Sequence, residues 1–289
     1  MKRFFRMAPG IILMGALGLA EAVDRVLIYT KTAGVRENNI ADTRKALKAF
    51  YESKGLIADT SESGAMISDT GLARYQAVVL LKNTGDFMNN AQQTAFESWF
   101  QAGGGVQLIH AALDAEMNWP FYGKLIGGAW FQSLPGDSNT THTVVVEDTA
   151  DRSTRHIPKR WQRKDEIYGF KANPRMAANP AMHILATVDE STYPNGRAGA
   201  DHPMSWYGDY QGGRAWTTAM GHVTAAYRDS VFLGHLWGGM EYLLNREETT
   251  SIGAPGHRRL NLRKASAPSA TPLFGEGLNK DARGRETLP

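Results

Sequence analysis

Histidine is the residue type in this 289-residue chain that most invites chemistry. Three imidazoles stand beside glycine or proline where predicted strands stop: His110 after Gly105-Val106-Gln107-Leu108-Ile109, His202 in Ala200-Asp201-His202-Pro203, and His222 in Gly221-His222. An imidazole titrates near neutral pH, so each can give a proton to a leaving group or take one from a substrate. The same three rings, with a carboxylate such as Asp201 behind them, also make a three-ligand site for a divalent metal such as zinc, with a position open to water. No His-Glu-x-x-His helix is present to decide between the two chemistries. Carboxylates supply a second set of candidates. A glycosidase-type pair needs two carboxyl groups about 5 to 10 Å apart, and Asp114, Glu116, Asp165 and Asp201 are the acids available for it. Of these, Asp201 and Glu116 join the histidines as the catalytic set. Asp165 and Glu166 are adjacent, so on a strand they point to opposite faces and only one can work beside Tyr168. Trp119, Tyr168 and Trp206 offer flat apolar faces that suit sugar rings, although Trp206 serves a core equally well. His183, inside a strand pattern, reads as structural.

These residues need a scaffold, and the apolar runs supply one. Residues 26–30, 56–60, 77–81 and 106–109 are short apolar segments of the kind buried on both faces of a parallel sheet. Between them, residues 40–54 and 90–102 carry apolar side chains at helical spacing. Strand and helix alternate at about 30 residues per unit, which means right-handed βαβ crossovers. The fold class is therefore α/β, with a flavodoxin-like, doubly wound, mainly parallel sheet and helices on both faces. In such a sheet ligands bind outside the carboxyl ends of the strands, where His110 sits. Further along, residues 141–147 and 183–188 are strand-like. Residues 201–207 and 214–220 form a hairpin around Gly212-Gly213, a C-terminal insertion into the α/β plan. Residues 230–244 form a closing helix that Asp229 or Ser230 caps. Residues 151–180 are polar and follow no βαβ pattern.

The two ends differ from this body. Basic residues in positions 1–6, an apolar run over 7–20 and Ala20-Glu21-Ala22 make the three-part pattern of a secretory signal peptide, predicting cleavage after Ala22 and a periplasmic or secreted protein with no stable membrane anchor. The chain has no cysteine, which removes disulfides, thiolate nucleophiles and Cys-based zinc sites together. Net charge is +3, and the basic residues concentrate at the termini, so no nucleic-acid partner is expected. No glycine motif for a nucleotide follows a strand. Residues 246–289 are polar and lack apolar periodicity, predicting a disordered tail behind a single domain over 23–245.

Several stretches, in order, resemble one family. They are Tyr29-Thr30-Lys31-Thr32-Ala33-Gly34-Val35-Arg36, residues 105–112 with Trp119 to Gly127 behind them, Asp165-Glu166-Ile167-Tyr168, residues 186–193, Ala200-Asp201-His202-Pro203 and Gly221-His222. Together, over about 25–245, they are similar to the trehalose-utilisation (ThuA-like) family. The resemblance implies a class I glutamine-amidotransferase-like fold in which His110 ends the strand that carries the nucleophilic cysteine in true amidotransferases, so glutaminase chemistry is excluded. It also implies a carbohydrate substrate, a glycoside or an oxidised keto-glycoside, with Arg36 in a substrate-binding loop. Two positions depart from the family pattern: Arg36-Glu37-Asn38 stands for Arg-His-Asp, and Ser133-Leu134-Pro135 for Ser-His-Pro. Glu37 is then the substitute ligand if a metal is held, and a non-catalytic sugar-binding or scaffold role is the alternative to an enzyme.

Overall fold

A computed structural model describes residues 23–136 and 139–245. The expected signal peptide and the expected tail both lie outside the described residues. The first half alternates as its periodicity predicts: β1 (Arg25–Tyr29), α1 (Ile40–Ser53), β2 (Ile57–Ser61), α2 (Asp69–Leu72), β3 (Ala77–Leu81), β4 (Thr84–Gly85), α3 (Asn90–Gln101) and β5 (Gly105–Ile109). A bridging segment holds β6 (Asp114–Ala115), α4 (Pro120–Leu125) and β7 (Phe131–Ser133). Then follow β8 (Thr140–Val146), β9 (Arg160–Asp165), β10 (Gly169–Phe170), β11 (His183–Val188), β12 (Pro203–Tyr210), β13 (Gly213–Thr218) and α5 (Ser230–Leu243).

Nine strands form one sheet in the order β2-β1-β3-β5-β13-β12-β11-β8-β9. From β2 to β13 every pairing is parallel, and from β13 to β9 every pairing is antiparallel. The α/β class and the mainly parallel sheet therefore hold. The hairpin does not hang at the margin, however. Its second strand, β13, lies beside β5 at the centre, because Ala215-Trp216-Thr217-Thr218 is buried throughout and can fill a strand covered on both faces. Residues 151–180, outside the βαβ pattern, contribute the edge strand β9, whose alternation of exposed and buried residues marks a sheet with one solvated face.

Helices cover both faces of the parallel half. On β5, Gln107 donates from its amide to the Leu236 carbonyl of α5 at 2.8 Å, and its side-chain oxygen accepts from the Tyr51 hydroxyl of α1. Alternation then turns Val106 and Leu108 to the opposite face, under α3. There Gly213 is required by close approach, since a Cβ would stand 2.6 Å from the Phe100 ring and from its carbonyl oxygen. Burial of the fully covered aliphatic side chains of β1, β3 and β5 is worth about 1.5–3 kcal/mol each against exposure, so these strands are the stable platform on which loops can carry function. Among the described residues no helix is long and apolar enough to cross a membrane.

Candidate functional site

Four parallel strands deliver polar residues to one end of the sheet. The loop after β1 brings Glu37 and Asn39; β3 is followed directly by Lys82, β5 by His110, and β13 is followed by Gly221 and His222. Lys82 and His110 both turn out of their strands with φ near +57°, and Gly221 does so at +112°. Left-handed backbone is uncommon for lysine and histidine, and the buried contacts of both side chains hold it in place. From the antiparallel half, β9 returns to the same place. Asp165 accepts the backbone N–H of Gly221 at 2.8 Å, of His222 at 2.9 Å and of Val223 at 3.2 Å, so its carboxylate shapes the turn that presents His222.

His110 is the centre of the cluster and is wholly buried. Its Nδ1 lies 2.9 Å from the Ala219 carbonyl oxygen, which can only accept, so Nδ1 carries the proton and the neutral ring offers a bare Nε2. Around Nε2 stand His222 Nδ1 at 3.1 Å, the Tyr168 hydroxyl at 3.2 Å, Glu166 Oε2 at 3.2 Å and Glu37 Oε1 at 3.4 Å. His222 Nδ1 is also 3.3 Å from Glu37 Oε2 and 3.4 Å from Glu166 Oε2. His222 is the member that meets solvent, with 24% of its side chain exposed against 12% for Glu37.

Behind this group Lys82, fully buried, donates to Glu37 Oε2 at 2.6 Å, Asn39 Oδ1 at 2.7 Å and the His222 carbonyl at 2.6 Å. All three ammonium protons are thereby placed. Burial raises the Glu37 carboxyl, but the His222 hydrogen bond and the Lys82 ammonium outweigh it and hold the group at about 2. In return the bond from Glu37 raises His222 above the ordinary histidine value, against the burial that lowers it. Burial lowers Lys82, with Glu37 opposing. The Tyr168 phenol is pushed well up, chiefly by burial and then by Glu166. Burial raises Asp165, yet Arg163 and the N–H groups around it bring the carboxyl below its usual range.

Residues 25–243 match the family described as ThuA, trehalose utilisation. The chain belongs to the ThuA family. Solved ThuA structures share its fold. A ThuA-like protein from Bacteroides uniformis is 18% identical, with a TM-score of 0.65 and coverage of 81% of this chain and 96% of that one. Another, from Parabacteroides merdae, is 24% identical, with a TM-score of 0.63 and coverage of 80% and 93%. A cytoplasmic protein from Salmonella typhimurium is 11% identical, with a TM-score of 0.51 and coverage of 75% and 98%. Comparison with curated proteins gives no match.

On the ThuA scaffold the residues singled out from sequence separate into two groups. His110 and His222 meet, with Tyr168 and Glu37 beside them. His202 does not join them: its Nε2 donates to the Tyr168 carbonyl at 2.7 Å and its Nδ1 lies 2.6 Å from Glu190 Oε1. With both nitrogens so engaged, His202 offers no lone pair to a metal or a substrate, and it braces Tyr168 from behind. Asp201 is turned to Asn173 and Arg175 at the surface. Glu116 is buried elsewhere, accepting from the Met88 N–H and the Gln93 amide, because its left-handed backbone at φ +50° points it under the loop after β3. Trp119 packs on Phe96, Phe121 and Tyr122, and Trp206 lies fully inside the sheet, so both are core. Arg36 pairs with Glu62 at 2.8 Å away from the cluster.

Asp165 is an organiser of the His222 turn with no face toward solvent. Its neighbour Glu166 reaches the rings, since β9 ends at Asp165 and strand alternation no longer separates the two acids. Lys82 and Asn39 are the members that sequence reasoning missed. A charged residue immediately after the all-apolar 77–81 was the available signal for Lys82; Asn39 carried none.

Proposed function

We propose that this chain is an exported enzyme that acts on a carbohydrate, a glycoside or keto-glycoside, by proton transfer at the His110–His222 pair. One observation carries the reading: His110 Nδ1 is committed to a backbone carbonyl, and its bare Nε2 stands 3.1 Å from the one histidine of the pair that meets solvent. His222 is the group a substrate reaches. As an imidazolium, favoured by Glu37, it donates to a leaving sugar oxygen, and His110 behind it accepts a hydrogen bond from His222 Nδ1 and so positions the ring, which regains its proton from solvent. The Tyr168 hydroxyl, kept protonated by burial, is a hydrogen-bond donor for an oxygen that gains charge. On a keto-glycoside the departing proton comes from the carbon beside the ketone, the β-oxygen leaves with the bonding pair, and Glu166 is the carboxylate within reach of the histidines to accept that proton. Support for a sugar comes from the family's link to trehalose utilisation; support for export comes from the three-part pattern of residues 1–22.

The test is a screen of purified protein against glycosides and their keto derivatives, with products read by mass spectrometry. Turnover that falls about 10²–10⁴-fold in His222→Ala and in His110→Ala, in variants whose cooperative thermal melting shows them folded, is expected. Tight glycan binding by calorimetry with no product would reject the enzyme and leave a sugar-binding protein.

A further inference from the structure

Protons are scarce in the cluster. His110 Nε2, both oxygens of Glu37 and Oε2 of Glu166 all present lone pairs to one small volume, and Lys82 serves only Glu37 Oε2. The hydrogens left for the others are the Tyr168 hydroxyl proton and that on His222 Nδ1, and Glu37 Oε1 is a buried acceptor with no hydrogen-bond partner. A buried acceptor without a donor is costly, and the shortage is met by a cation that several lone pairs share. Geometry agrees with that solution. One donor atom each from Glu37, His110 and His222 lie within 4.8 Å of one another. The rings stand 3.1 Å apart, His110 Nε2 is 3.4 Å from Glu37 Oε1, and His222 Nδ1 is 3.3 Å from Glu37 Oε2, the oxygen that Lys82 also holds. Donors about 2.0–2.1 Å from a tetrahedral ion stand about 3.3–3.4 Å from each other, a spacing close to the one His110 Nε2 keeps to His222 Nδ1 and to Glu37 Oε1.

We infer that Glu37, His110 and His222 form a site for one divalent transition-metal cation, zinc by donor type. Two imidazoles and a carboxylate are borderline donors, which favour zinc over magnesium or calcium. The Ala219 carbonyl fixes the His110 tautomer that ligation needs, and Lys82 and Asn39 hold the Glu37 loop from the other side. The exposed flank of His222 leaves a position for water or a sugar oxygen, and Glu166 is the carboxylate beside it. The inference concerns the same cluster as the proposed function but commits His110 and His222 to the ion, which leaves Glu166 and Tyr168 as its proton-transfer groups, and its evidence does not depend on the substrate.

The experiment is calorimetric titration of the chelator-stripped full chain with zinc chloride and, separately, magnesium chloride, with elemental analysis of the protein as purified. One zinc per chain, no competing magnesium uptake, and a loss of zinc affinity of about 100-fold or more in Glu37→Gln and His222→Ala are expected. His183→Ala, at an exposed histidine outside the cluster, keeps the zinc. Circular dichroism melting shows whether each variant is folded, and Glu37→Gln, nearly isosteric, covers the case in which His222→Ala fails to fold. Absence of stoichiometric uptake by a cooperatively folding wild type, or unchanged affinity in Glu37→Gln, overturns the site. Sugar turnover by the stripped protein that His222→Ala abolishes would discard the cation and keep the enzyme; zinc uptake without turnover on any glycan would do the reverse.

Discussion

Asp165 shows how much one buried side chain can carry. It accepts three backbone N–H groups from residues 221–223 and pairs with Arg163, whose guanidinium lies over the Trp161 and Phe232 rings at 4.5 and 4.7 Å. Removing the carboxylate leaves a buried cation without its partner, so Asp165→Ala is expected to cost about 3–5 kcal/mol of stability, read by urea unfolding. Because the two groups share one interaction, the double variant with Arg163→Met loses less than the sum of the two single changes; simple additivity would refute the coupling. At this scale much of the chemistry was legible and its wiring was not. His110 at the end of 105–109 could be placed by the apolar run in front of it. Glu37 was reached only through the family resemblance, and that Glu166, and not Asp201 and Glu116, would face His110 could not be read, since these acids sit in polar segments where nothing periodic tells which way a side chain turns.

The corner after β13 is the element on which the site depends. Gly221 sits at φ +112°, with Tyr227, Phe232 and Ile109 3.0–3.2 Å from where a Cβ would be. An L side chain there meets both strain and contact, of order 1–3 kcal/mol, and the corner relaxes by moving His222 off His110. Gly221→Ala is therefore expected to melt lower and to lose turnover by at least about tenfold, while a protein that loses stability but keeps full activity would show that the corner does not position the ring. Elements themselves were well legible. Strands 77–81 and 183–188 fall where their apolar runs predict, and α5 starts at Ser230 with Asp229 as its cap. β9 was missed, because Arg160 to Asp165 alternates charged and polar residues and carries only Trp161 as an apolar mark.

Across the whole molecule, buried imidazoles link stability to pH. His235 lies between α5 and the sheet, with Nδ1 2.8 Å from the Ser153 carbonyl, and burial lowers its pKa from 6.5 to about 3. Between those values the unfolded chain binds a proton that the folded chain refuses, so stability is greatest above about pH 6.5 and declines as pH falls toward 3. The melting temperature is expected to drop between pH 7 and pH 5, and to drop less in His235→Gln measured against its own value at pH 7; equal slopes in the two proteins would remove His235 as the cause. The sequence by itself determined the α/β class, the alternation of strands and helices in the first half and the position of His110 at a strand end, because burial periodicity and strand termini are local properties of a chain. Tertiary structure alone decided the company His110 keeps. The strand order sets β13 beside β5, and although β9 is the far edge strand its end reaches the turn at 221–223, which joins Glu37, Glu166, Tyr168 and His222, while His202 is spent on holding Tyr168. Contacts between residues more than fifty positions apart follow from how strands stack and coil, and no local pattern encodes that.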